Sequence, residues 1–158
     1  MIEDLQTIGI ADNSVDVVIS NCVISLVEDK SKVFAEVQRV LKHGGEFFFS
    51  DMYCDRRLPA IMRSDPFLWG EGVSGSFYIE DFRRAMDKAN FKDQRFHKKE
   101  PMKICGKLMD ACIAVGGVHE LKLFAITTRS FKIDGLEDRR ENYGQTAKYL
   151  GTIEDHDK

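Results

Sequence analysis

Several classes of protein are excluded by what the 158 residues lack. No apolar run reaches the ~20 residues needed to span a bilayer, and the start shows no charged-then-apolar signal segment. Positive charge is not in excess. The net charge is -3, and nothing argues for a nucleic-acid footprint. Basic residues gather only locally, at Arg56-Arg57, Arg83-Arg84 and His97-Lys98-Lys99, where a solvated surface is the expected role. The four histidines show no HxxxH-type metal spacing. The four cysteines are irregularly spaced in a chain without secretory features. They read as reduced thiols of a cytoplasmic protein, not as a disulfide framework. Repeats and low-complexity segments are absent. No Gly-x-Gly-x-Gly follows a strand, so the usual dinucleotide-type fingerprint is missing.

What is present suits one soluble domain: 43% hydrophobic and 31% charged residues. The chain is organised around Asp16-Val17-Val18-Ile19-Ser20-Asn21-Cys22-Val23. An unbroken apolar run predicts a strand over Val15–Asn21, buried on both faces as in a helix-covered parallel sheet. Polar residues just past such a strand lie where open α/β sheets place ligands. Asn21 and Cys22 are therefore the first candidates for chemistry.

Downstream, Val33, Phe34, Val37, Val40 and Leu41 share one helical face, with Asp29 as N-cap and Lys42-His43-Gly44-Gly45 as the end. Glu46 to Asp51 reads as a second buried strand, which completes a right-handed βαβ unit. Tyr53 to Ser76 has no firm period. It predicts a short helix near Pro59–Arg63 and then a loop with Trp69, Gly70, Gly72 and Gly75 over the strand ends. A helix follows over Ile79–Ala89, stopped by Asn90. Lys92–Lys99 reads as a strand broken by Pro101. Cys105, Leu108, Met109, Cys112 and Ile113 make one helical stripe, ended by Gly116-Gly117. Leu121–Ile133 is β-rich, and from Asp134 the chain turns polar.

The order strand, helix, strand, helix, strand, strand resembles the later half of the Rossmann-like fold of S-adenosylmethionine (SAM) methyltransferases. In that fold a terminal hairpin places the final strand antiparallel. The detailed pieces are similar to the arsenite methyltransferases: Ile2-Glu3-Asp4-Leu5, Asp16 to Ile24, Arg39-Val40-Leu41-Lys42-His43-Gly44-Gly45-Glu46, and Phe49-Ser50-Asp51-Met52-Tyr53. Trp69-Gly70-Glu71, Tyr78 to Phe82, Arg129 to Lys132, Tyr143-Gly144-Gln145 and Leu150 to Ile153 continue the match in order. The resemblance implies residues 1–133 as the C-terminal half of the methyltransferase α/β domain. Residues 134–158 would be a polar tail or the start of the family's C-terminal region.

The implied reaction is methyl transfer from SAM to thiolate-bound As(III). Cys22 matches a substrate cysteine, Asn21 would line the SAM pocket, and Ile2 and Glu3 would sit near the adenine. A soft As(III) centre suits thiolate ligands. Two departures stand out. The family's next substrate cysteine follows Gly-Glu, and here Gly70-Glu71 is followed by Gly72. The glycine-rich SAM loop and the ribose-binding acid would lie upstream of residue 1. Of the other thiols, Cys105 and Cys112 read as buried core residues, and Cys54 as a loop thiol that could approach Cys22. Asp51 reads as a pocket or capping carboxylate.

Two functions follow. One is an arsenite methyltransferase-like chain with arsenite as ligand. The other is a non-catalytic chain whose open sheet edge pairs with a second copy or a complementing N-terminal half. No nucleic-acid or membrane partner is expected.

Overall fold

In the computed structural model, residues 5–6, 8–136, 142, 144–146, 148 and 150 are described. The order is β1 (Val15–Asn21), α1 (Lys30–Val40), β2 (Leu41–Cys54), α2 (Ala60–Arg63), α3 (Pro66–Gly70), β3 (Phe77–Tyr78), α4 (Ile79–Lys88), β4 (Asp93–Met102), α5 (Gly106–Gly116) and β5 (Leu123–Phe131). The sheet runs β1-β2-β5-β4, with β3 pairing the end of β2. β1 and β2 are parallel, and β5 is antiparallel to both β2 and β4. The predicted βαβ unit and the antiparallel final strand are both present. This is the Rossmann-like arrangement that the resemblance implies.

α1 forms as its pattern dictates. Val33, Phe34, Val37 and Val40 are buried along one stripe, and Asp29 accepts the N–H groups of Ser31 and Lys32. The stripe packs on an aromatic layer from the sheet and α4. Phe47 and Phe49 project to the same side because strand side chains alternate, and their rings stack at 4.2 Å. Phe82 meets Tyr53 edge-on at 5.2 Å. Each such buried side chain contributes about 1.5–3 kcal/mol. Exposed ion pairs such as Arg57–Asp81 give about 0–1 kcal/mol each. The aromatic layer therefore holds the fold.

Five expectations need correction. β1 is not buried on both faces. Val17 and Ile19 are 52% and 75% exposed. Among the described residues β1 is an edge strand, and the buried cluster around α1 and α4 covers one face only. An apolar run reports what a strand prefers, not which neighbours cover it. Secondly, Pro101 does not break β4, which continues to Met102. β4 is the opposite edge and pairs with β5 alone, and an edge strand tolerates a missing N–H. Thirdly, Cys105 is exposed and Cys112 buried. The helix begins one residue later than the stripe, so Cys105 is its N-cap. Fourthly, the loop over the strand ends contains α3, capped by Asp65 through the Leu68 N–H with Pro66 in the first turn.

Fifthly, β2 is longer than predicted. Its first residues, Leu41 to Gly45, form an irregular stretch in which the pairing with β1 shifts register.

Candidate active site

β1 delivers Asn21 and Cys22 to its carboxyl end. Asn21 sits opposite Ser50 in the parallel ladder, and the next N–H, that of Cys22, donates to the Ser50 carbonyl at 2.9 Å. There the strand stops, because Cys22 takes φ +51°. A left-handed backbone at a non-glycine residue is uncommon and costs about 1–2 kcal/mol, so surrounding contacts must impose it. The chain then drops into a 3-10 turn, Ile24–Leu26, whose Ile24 is fully buried.

Asp51 supplies the restraint. It is a buried carboxylate on β2, 1% exposed. One oxygen accepts the N–H groups of Ile24 at 2.9 Å and Ser25 at 3.2 Å, and the other accepts its own Met52 N–H at 2.8 Å. This is the capping role foreseen for Asp51, applied to the turn that carries Cys22. The Cys22 side chain stays exposed. Partial burial first, and the Asp51 charge second, push its thiol above the ordinary range. Both effects favour the protonated thiol.

The segment from α3 to β3 closes over this turn. Trp69 Nε1 donates to the Leu26 carbonyl at 3.2 Å. Gly75 lies so close that a Cβ there would sit 1.6 Å from the Ser25 carbonyl oxygen. Gly72, buried at φ +77°, lies against Ser25 and Met52. A Cβ at that position would be 3.7 Å from Ser25 Oγ and 3.4 Å from Met52 Cε. The position that resemblance assigns to a second thiol therefore packs beside the Cys22–Ser25 turn, and holds glycine.

Cys54 does not join Cys22. It is the last residue of β2, buried, with its Sγ donating to the Arg56 carbonyl at 3.0 Å. Cys22 is level with Asp51, and three further strand residues put Cys54 roughly 10 Å along. Asn21 lines an open hollow of about 510 Å³ on the uncovered sheet face, with Ile19, Phe48 and Thr127. Ile2 and Glu3 lie outside the described residues. Among the described residues no cluster of three or more His, Cys, Asp or Glu could hold a metal ion.

The sequence pattern of the methyltransferase domain matches residues 1–107. The chain belongs to the methyltransferase domain family. Within that family the chain is 42% identical over 152 residues to the arsenite methyltransferase of Aquipseudomonas alcaligenes, covering 96% of the chain and 42% of that protein. It is 36% identical over 157 residues to the arsenite methyltransferase of Mus musculus, covering 99% and 40%. The crystal structure of an arsenic (III) S-adenosylmethionine methyltransferase from Chlamydomonas reinhardtii superposes with a TM-score of 0.81 at 43% identity, covering 91% of this chain and 46% of that one. The chain spans about two fifths of the length of these curated relatives. The likeness to arsenite methyltransferases read from the sequence is borne out.

Two residues contribute more to this site than the sequence indicated: Lys30, which was given no role, and Gly75, which was read only as part of the loop over the strand ends. Lys30 donates to the Val27 carbonyl at 2.7 Å and lies under Trp69 and Phe77. Gly75 permits the close approach to Ser25. Glycine beside Ser-Phe-Tyr was a visible signal for a tight contact, whereas nothing local marked Lys30.

Proposed function

We propose that this chain is the arsenic-presenting part of an arsenite methyltransferase, with Cys22 as a ligand to trivalent arsenic. The supporting observation is the exposed Cys22 thiol on a left-handed turn at the end of a parallel strand, fixed by the buried Asp51. Arsenous acid would exchange one hydroxide for the Cys22 sulfur. The thiol proton leaves with that hydroxide as water, and an S–As bond forms. The arsenic lone pair then remains free.

SAM would supply the methyl group in the family reaction. Among the described residues only Asn21 stands where a SAM contact is expected. These residues alone do not form its site, and the steps assigned to this chain concern arsenic only. Gly72 leaves Cys22 without the second thiol, so capture is through one sulfur and correspondingly weak. The deciding experiment is titration of arsenite into the full chain and into Cys22→Ser. Loss of binding in a normally folded variant supports the reading, and equal affinity overturns it.

A second reading is favoured by the exposed edge strand. Val17 and Ile19 leave apolar surface on β1, and unpaired strand edges invite pairing. A second copy or a complementing N-terminal half would cover it. A dimer by light scattering supports the first partner, and a monomer at all concentrations removes it. Among the described residues no helix is long and apolar enough to cross a membrane. A cytoplasmic location, where the four cysteines stay reduced, belongs to the same proposal.

A further inference from the structure

A cavity of about 390 Å³ is lined by residues of the α3–β3 segment, and neither Cys22 nor Asn21 lines it. Its charged walls are Lys30, Arg56, Arg57 and Arg63 against Glu28 and Asp81. Asp81 is already neutralised, bound by Arg57 through both oxygens at 2.6 and 2.7 Å and by Arg84 at 2.9 Å. The cations are less fully used. A guanidinium has five N–H donors. Arg56 spends its Nε and Nη2 on Asp55, and Arg57 spends the same atoms on Asp81.

Arg63 and Lys30 take part in no ion pair among the described residues. Lys30 is the telling group. Its ammonium is drawn out of water between the Trp69 and Phe77 rings, 5.6 and 5.7 Å from their centroids. Its hydrogen-bonding acceptor is one carbonyl, that of Val27. Burial pushes it toward the neutral form, against the pull of the Asp51 charge. Buried charges are ordinarily paired, because an uncompensated one is costly. Lys30 is half-buried and feels the Asp51 charge, with Glu28 also on the cavity wall, yet it closes no ion pair among the described residues, and beside the ammonium is a space able to hold an anion. Trp69, Phe77 and Leu58 give that space an apolar, partly aromatic wall.

We infer that this cavity is a binding site for a small organic anion, a phosphate monoester or carboxylate carried on a flat apolar body. The anionic head pairs with Lys30 and the spare donors of Arg56, Arg57 and Arg63, and the body lies against Trp69 and Phe77. The site does not depend on Cys22 or on arsenic. The expected local cluster of solvated cations at Arg56-Arg57 is thereby given a second role.

Trp69 is the only tryptophan in the chain and lines the cavity, so its fluorescence reports occupancy directly. Phenyl phosphate and benzoate are titrated into the full chain at constant ionic strength, with benzyl alcohol as the neutral body. The expected result is a saturable change with at least one anion, at a Kd below about 1 mM. Charged hydrogen bonds set the remaining expectations: affinity falls about tenfold or more in Arg63→Ala and in Lys30→Met, and is unaltered in Cys22→Ser. Tighter binding of phenyl phosphate assigns the head as phosphate, and tighter binding of benzoate assigns it as carboxylate. Arg63 is an exposed residue of α2, so its variant folds even where Lys30→Met does not. No saturable change up to about 10 mM, equal binding of benzyl alcohol, or wild-type affinity in Arg63→Ala would each overturn the site.

Discussion

Asp51 has three backbone N–H bonds to lose. Asp51→Ala strands buried donors at about 1–3 kcal/mol each, so unfolding should move by about 3 kcal/mol or more in denaturant titration. Asp51→Asn keeps an oxygen for Ile24 and Ser25 and turns an amide toward the Met52 N–H, so its loss should be smaller. It also removes a negative charge that raises the Cys22 thiol. With that anion gone the thiolate is favoured, and the pH at which Cys22 becomes reactive to iodoacetamide should fall. An unchanged alkylation profile would show that Asp51 shapes the turn without influencing the sulfur. Cys22→Ser should alter stability by no more than about 0.5 kcal/mol, because the side chain is exposed.

The element that closes over the site, from α3 to β3, depends on two glycines for different reasons. Gly75→Ala drives a methyl into the Ser25 backbone, which no rotamer can relieve. Loss of soluble, cooperatively unfolding protein is expected. At Gly72 the surroundings have room, but the left-handed backbone penalises any side chain by about 1–2 kcal/mol. Gly72→Cys should therefore unfold at lower denaturant yet bind arsenite more tightly than the parent, through a second sulfur. Tighter binding that persists in Cys22→Ser/Gly72→Cys would show that the two thiols do not share the ion.

Elements whose residues declare their own neighbours were legible in the sequence. α1 was readable because Val33, Phe34, Val37 and Val40 repeat on one face behind an Asp29 cap. α3 was not, since five residues are too few for a period, although Asp65-Pro66 was a visible start signal. The exposure of β1 was hidden for another reason. Val17 and Ile19 are apolar whether or not anything covers them, and only the assembled sheet shows which side is left open. At the site, the place of Cys22 just past β1 was readable, whereas Asp51, expected at the end of β2, lies three residues inside it. Lys30 did not, because its role arises from Trp69 and Phe77, some forty residues away.

Across the whole molecule, arginines tie carboxylates that are far apart in sequence: Glu46 to Arg129 and Asp81 to Arg57. Hydrogen bonds from these arginines hold both carboxyls below their usual range. A lowered folded value gives stability that is complete above about pH 4–5 and is lost as pH falls through the depressed value. Acid unfolding should therefore steepen below about pH 4, and Arg129→Gln should flatten it. The pairs are partly exposed, so the effect is modest and weakens in salt. The open side of β1 is the other global feature. Ile19→Lys should reduce any self-association seen by light scattering while leaving the anion-induced Trp69 signal intact.

The last strand does not lie at the rim of the sheet. β5 is inserted between β2 and β4, and this dictates an order of events during synthesis. When β4 leaves the ribosome, the strand it must pair with has not yet been made. At ordinary elongation rates the 29 residues from Met102 to Phe131 take roughly 1.5–6 s to appear. During that interval β2 lacks its antiparallel neighbour and β4 has none at all. The β1–β2 pair can form before then, but the antiparallel half of the sheet waits until β5 arrives to join β2 and β4.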